Sequence, residues 1–137
     1  MTPIRVLCVD DNRLIAKAFE RRLAFESHLK WAGWVEDAKA VAGVVKETSP
    51  DVLMLDIDMP GGDSFDLVRT LADTTPDLKV VMFSGHVRVE YLDRAIDAGA
   101  WGYLSKNQSM DEVVAAIQRV AAGEFVLTPE LAPERPV

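Results

Sequence analysis

The sequence predicts an α/β fold, a doubly wound parallel sheet, and three observations carry that prediction. Short apolar runs alternate with amphipathic stretches five times along the chain. The runs Val52 to Leu55 and Leu78 to Phe83 are almost wholly apolar, as strands buried on both faces are, rather than alternating apolar with polar. With 137 residues there is chain for about one domain and a real hydrophobic core.

Each element has its own signal. Ile4 to Val9 reads as the first strand. Asn12 to Phe25 follows as a helix, because Ile15, Ala18, Phe19 and Leu23 share one face at helical spacing. Leu29 to Val35 is a weaker second strand, its pattern interrupted by Trp31, Gly33 and Trp34. Asp37 is placed to cap a helix running to about Thr48, in which Val41, Val44 and Val45 align, and Ser49-Pro50 ends it. The third strand, Val52 to Leu55, delivers Asp56 and stops before Pro60-Gly61-Gly62. A short helix is expected from Phe65 to Ala72, then the fourth strand, Leu78 to Phe83. Arg88 to Ala98 is the fourth helix, closed by Gly99. Gly102 to Leu104 is the fifth strand, and the last helix opens with a capping box from Ser109 to Glu112 and ends before Gly123.

Five strands alternating with five helices, joined by right-handed crossovers, leave few topologies. The commonest is the flavodoxin-like order 2-1-3-4-5, which sets the first and third strands side by side at the switch point where such sheets bind ligands. A single aspartate after a strand is more often the start of a turn or a helix cap. Here several polar residues arrive at carboxyl strand ends together: Asp10-Asp11 after the first strand, Asp56 after the third, Ser84 after the fourth and Lys106 after the fifth.

Three carboxylates gathered at one rim require that one be protonated or that a cation sit among them. Oxygen ligands beside open water positions suit Mg²⁺. A carboxylate is a competent nucleophile toward phosphorus and gives an acyl phosphate, a transfer in which the protein's work is mostly positioning and charge neutralisation. In that chemistry the metal bridges Asp56 to the phosphoryl group, Lys106 neutralises a second oxygen and Ser84 donates to a third. No general base is needed for an already ionised carboxylate.

Composition excludes other classes. A net charge of -7 argues against nucleic-acid binding by these residues. No apolar run approaches the roughly 20 residues of a membrane span, and Met1-Thr2-Pro3-Ile4-Arg5 lacks a signal peptide's apolar core, so a cytoplasmic location without membrane contact is expected. The lone Cys8 has no partner for an internal disulfide and reads as a small buried hydrophobe.

The acid pair Asp10-Asp11, Asp56 followed by Met59-Pro60-Gly61, Ser84-Gly85 and Gly102-Tyr103-Leu104-Ser105-Lys106 together resemble the receiver domain of bacterial two-component response regulators, over about residues 3 to 123. The resemblance implies phosphorylation of Asp56 by a sensor histidine kinase. It implies Mg²⁺ held by Asp11, Asp56 and the backbone carbonyl of Asp58, with Asp10 helping through water. It further implies that Ser84 and Tyr103 switch position and remodel the face of the fourth helix, fifth strand and fifth helix. Gly99 to Lys106, and Phe125-Val126-Leu127-Thr128-Pro129 after the last helix, are similar to receivers that precede a LuxR/NarL-type helix-turn-helix domain. On this reading 1–123 is the receiver and 124–137, with Pro129, Pro133 and Pro136, is a linker or tail. DNA contact would then fall to an output domain outside these residues, and phosphorylation-dependent homodimers become plausible.

The sequence departs from the family pattern in places. Ser64 stands where such receivers usually have glycine, with Gly61 and Gly62 available to supply turn freedom. Asp58 and His86 occupy positions that in this family influence the lifetime of the acyl phosphate. Trp101 replaces a commonly polar residue, which suggests either a partner surface or partial burial against a helix. Two alternatives compete: a haloacid-dehalogenase-like phosphatase using Asp56 and Asp58 as nucleophile and acid, and an interaction module that is never phosphorylated. The first expects Thr or Val where Pro60 stands, and the second expects loss of rim residues that are all present.

Overall fold

The computed structural model describes residues 2–131. Six parallel strands lie in the order β2-β1-β3-β4-β5-β6. They are β1 Ile4–Val9, β2 Leu29–Val35, β3 Val52–Leu55, β4 Lys79–Ser84, β5 Gly102–Ser105 and β6 Val126–Leu127. The helices are α1 Arg13–Leu23, α2 Val41–Thr48, α3 Ser64–Thr74, α4 Val89–Ala98 and α5 Met110–Ala121. The expected 2-1-3-4-5 order is present, with one strand added.

Side-chain alternation explains why these strands must be covered twice. Leu7 and Val9 of β1, Leu53 and Leu55 of β3, and Val80 and Met82 of β4 point to one face, where they meet Val41 and Val45 of α2, Phe65, Val68 and Leu71 of α3, and Ala95 and Ala98 of α4. Val6, Val52, Met54, Val81 and Phe83 point the other way, onto Phe19 and Leu23 of α1 and Val113, Ile117 and Val120 of α5. Both faces being dry is what makes the strand sequences read as continuous apolar runs.

Several boundaries differ from the sequence expectation for identifiable reasons. Asp37 does cap, accepting from the Lys39 amide, but it caps a single 3-10 turn, Ala38–Ala40, from which α2 then starts. α3 runs two residues beyond the expected Ala72, and its first turn is held by the Asp63 carboxylate, which accepts from the Phe65 and Asp66 amides. The interrupted pattern of β2 is a bulge: Val6 pairs with Trp31 and Leu7 with Gly33, leaving Ala32 as the extra residue. The bulge lets Trp31 pack with the α1 core while Trp34 turns its indole N–H to the Asp10 carbonyl at 2.6 Å.

The largest correction concerns the segment 124–137, expected as a linker. Val126 and Leu127 pair with Gly102 and Tyr103 as β6, and a 3-10 turn follows at Pro129–Leu131. Val126 and Thr128 are buried. Gly102 makes the close approach possible, because a Cβ there would lie 2.8 Å from Val126 Cγ2. The folded unit therefore continues to Leu131, past the expected boundary at 123. Residues 132–137 of that tail lie outside the described residues.

Candidate functional site

The site is assembled by strand register. β1 and β3 are neighbours, and the Asp56 amide donates to the Val9 carbonyl at 2.9 Å, so Asp10 and Asp56 emerge side by side at the carboxyl edge. β4 and β5 are paired next along, and the Lys106 amide donates to the Ser84 carbonyl at 2.8 Å. Carboxylate oxygens of Asp10, Asp11 and Asp56 all lie within 4.8 Å of one another. Lys106 reaches over from β5 and places Nζ 2.7 Å from Asp10 Oδ2 and 3.5 Å from Asp56 Oδ2. The four charged residues expected from the sequence are thus brought together.

Their environments differ. Asp10 is 1% exposed and Asp56 7%, whereas Asp11 is open to solvent. Asp10 Oδ1 accepts from the Asn12 amide at 2.8 Å, and Asn12 in turn caps α1, so the acid pair and the first helix are fixed as one turn. Asp10 Oδ2 meets the Lys106 ammonium as an ion pair but without the alignment of a hydrogen bond, leaving a buried oxygen with charge compensation only.

Burial, and then the neighbouring Asp10 charge, push the Asp56 carboxyl above its ordinary pKa, against the opposing pull of Lys106 and the Asp58 backbone. Burial alone would lower the Lys106 ammonium, but the contacts with Asp10 and Asp56 outweigh it and the net direction is up. Lys106 is therefore firmly cationic. With three carboxylates against one ammonium, the trio retains a local excess of negative charge. An oxygen-only donor set of that kind, open to water on the Asp11 side, fits Mg²⁺.

Ser84 is fully buried, its Oγ accepting from the His86 amide at 2.9 Å. Tyr103 is also fully buried within β5, on the α4 face, and its hydroxyl donates to the His86 carbonyl at 2.5 Å. Ser84 and Tyr103 thus hold the same His86 peptide segment from two sides. Burial raises the Tyr103 phenol above its usual pKa. Asp58 and His86 have exposed side chains, with Oδ2 and Nε2 3.8 Å apart over the mouth of the site. Trp101 is half-buried against the α5 side, with the Lys79 ammonium 5.3 Å from its ring centroid, which is the partial-burial alternative.

The loop after Asp56 is tied down at both ends. The Ala38 amide donates to the Pro60 carbonyl at 3.0 Å. Gly61 takes φ +92°, and a Cβ there would fall 2.1 Å from Asp37 Oδ1. Ser64 is buried, and its Oγ lies 2.8 Å from the carbonyl oxygens of both Asp56 and Ile57. Sequence reasoning placed Ser64 only as a departure from glycine, Trp34 only as an interruption of the second strand and Asn12 only as the start of the first helix. Asn12, directly after the acid pair and before an amphipathic run, carried a readable N-cap signal. A cleft of about 650 Å³ between α2 and α3 opens at the opposite, amino ends of β3 and β4 and is not part of this site.

Fold and site together define a flavodoxin-like α/β protein with one acidic, lysine-bearing rim. A family profile described as the response regulator receiver domain matches residues 6–118. The chain belongs to that family, and its likenesses lie among LuxR- and NarL-type response regulators. It is 33% identical over 129 residues to the response regulator GacA of Pseudomonas aeruginosa, covering 94% of this chain and 60% of that protein. The signal receiver domain of the putative response regulator NarL from Mycobacterium tuberculosis superposes with a TM-score of 0.85 at 27% identity, covering 90% of this chain and all of that one. A LuxR-family response regulator from Aurantimonas superposes at 0.88 over 95% of this chain and 93% of that one, and at 24% identity shows the fold alone. The chain spans about 60% of the length of the first curated relatives it matches. It is the receiver domain of a two-component response regulator.

Proposed function

We propose that Asp56 is the phosphoacceptor of this receiver and that Lys106, Ser84, Asp10 and Asp11 serve its reaction. The observation that carries the reading is the buried Asp56 carboxylate, 3.5 Å from Lys106 Nζ and within 4.8 Å of two further acids. An Asp56 oxygen attacks the phosphorus of a phosphohistidine on a sensor kinase. The P–N bond breaks, the electron pair leaves with the imidazole, which takes a proton from solvent, and an acyl phosphate forms. Water later attacks the same phosphorus, the bond to Asp56 breaks, and inorganic phosphate leaves. Lys106 holds one phosphoryl oxygen, and the Ser84 hydroxyl turns from the His86 amide to donate to another. Asp11, Asp56 and the Asp58 carbonyl, with Asp10 acting through water, would hold Mg²⁺, which would supply neutralisation of the phosphoryl charge.

The output follows from what shares the His86 segment. Moving Ser84 removes one of the two anchors on that segment, and Tyr103 holds the other, so the α4–β5–α5 face is biased toward a second packing. The domain is on this account a switch that assists its own phosphorylation and dephosphorylation, not an enzyme with a separate substrate. A cytoplasmic location for this domain, a sensor histidine kinase as donor, pairing of phosphorylated copies, and transcriptional output through a helix-turn-helix domain are what this reading entails. Relatives named as transcriptional regulatory proteins, such as DegU of Brevibacillus brevis, support the last of these. No helix among the described residues is long and apolar enough to cross a membrane.

Intact-mass analysis after incubation with acetyl phosphate tests the assignment. One phosphoryl adduct is expected that requires Mg²⁺ and is absent from the Asp56→Asn protein. No adduct, together with failure to bind beryllofluoride, would refute it.

A further inference from the structure

We infer that Ser64 is a positioning residue for the metal-binding turn, an addition of this chain to the family's usual glycine. It rests on the metal reading given above. In an extended strand successive carbonyls point in opposite directions. The Asp56 and Ile57 carbonyl oxygens nevertheless both lie 2.8 Å from Ser64 Oγ, so the chain has already turned at Ile57 and both oxygens converge on one hydroxyl proton. The next peptide in line is that of Asp58, whose carbonyl is the proposed metal ligand.

The Asp56 backbone is thereby held at both of its polar atoms. Its amide donates to Val9 of β1, and its carbonyl accepts from the first residue of α3. The next three α3 amides are not free to substitute: those of Phe65 and Asp66 are taken by the Asp63 carboxylate, and that of Leu67 by the Asp63 carbonyl. Ser64 is 2% exposed, so solvent does not replace its hydroxyl either. Mg²⁺ demands near-ideal octahedral geometry and tolerates misplaced ligands poorly. A hydroxyl that fixes the two peptides before a carbonyl ligand acts on affinity in the way outer-shell partners of metal ligands do, where removal costs about 10–100-fold.

The test is Mg²⁺ affinity by calorimetry for the parent, Ser64→Ala and Ser64→Thr, with thermal unfolding of each in the absence of metal. Ser64→Ala is expected to bind Mg²⁺ at least about 10-fold more weakly while remaining folded, and Ser64→Thr, which keeps the hydroxyl, to bind within about twofold of the parent. Ser64→Gly, carrying the family's usual residue, is expected to match Ser64→Ala and gives the same answer if the threonine does not fold. Parent-like affinity in Ser64→Ala or Ser64→Gly would overturn the inference, even if the melting temperature fell, because a merely structural hydroxyl moves stability and not metal affinity. A parent that binds Mg²⁺ but takes no phosphoryl group would sink the phosphoacceptor reading and leave this one standing. A parent with no Mg²⁺ affinity would overturn the positioning claim.

Discussion

Lys106→Met isolates the electrostatics of the rim. The substitution keeps an unbranched side chain of similar reach and removes the one cation that, among the described residues, touches both Asp10 and Asp56. Asp10 is left with a buried Oδ2 that has no hydrogen-bond donor, beside a second carboxylate whose pKa burial and Asp10 have already raised. Breaking a buried ion pair from one side costs about 3–5 kcal/mol. Lys106 retains 16% side-chain exposure, so water softens the loss and about 3 kcal/mol is expected. With a urea slope of about 1.5 kcal/mol/M, the midpoint falls by about 2 M at pH 7.5 without Mg²⁺. Metal at about 100 times its dissociation constant returns about 2.7 kcal/mol.

The pH dependence has a definite sign. Loss of Lys106 drives the folded-state pKa of Asp56 further above its unfolded value. The penalty is therefore complete above the folded pKa and is relieved as pH falls through it, so the gap between parent and variant narrows on acidification. Adding Asp10→Asn to Lys106→Met is expected to recover most of the loss. A deficit under about 1 kcal/mol without metal, or one that widens on acidification, would refute the reasoning.

Three other outcomes are expected. Asp56→Asn removes an ionised carboxylate whose pKa is raised in the fold, so metal-free urea midpoints rise at neutral pH and the advantage disappears as pH falls through the folded pKa of Asp56. Gly61→Ala asks for φ +92° and puts a methyl on the Asp37 carboxylate, and calorimetric unfolding should show a loss of about 1–3 kcal/mol, part of which Asp37→Ala restores. Gly102→Ala drives a methyl toward Val126 Cγ2 and the Val126 carbonyl, so hydrogen exchange at residues 126 to 128 should accelerate while β1 to β4 stay protected.

What was legible in the residues follows physical rules of differing range. Leu53 to Leu55 and Val80 to Phe83 could be read because both faces of a central parallel strand are dry, and the rim followed once those strands were ordered. The bulge at Ala32 was not legible, since it breaks the very alternation used to recognise a strand. β6 escaped because two residues carry no period, and Pro129, Pro133 and Pro136 dominate the composition around it. Its stability comes from Gly102, more than twenty positions away, which leaves room for Val126. Ser64 could be noticed as an unusual residue, but its two acceptors depend on a turn at Ile57 that no local pattern announces.

The parallel pairing of β6 has a consequence for how far a charge can speak. Because β6 runs with β5, residues 128 to 131 leave the sheet at the same end as Asp56, three strands across. At about 4.8 Å per strand that is about 14 Å. Through physiological salt water a charge is largely screened beyond about 8 Å. Thr128 thus stands at the same end of the sheet as the proposed phosphoacceptor yet outside the reach of its field through solvent. On the proposed reading a phosphoryl group would be felt there by contact, and the Thr128 amide, 2.7 Å from the Tyr103 carbonyl, joins the proposed switch residue to the chain that leaves the sheet.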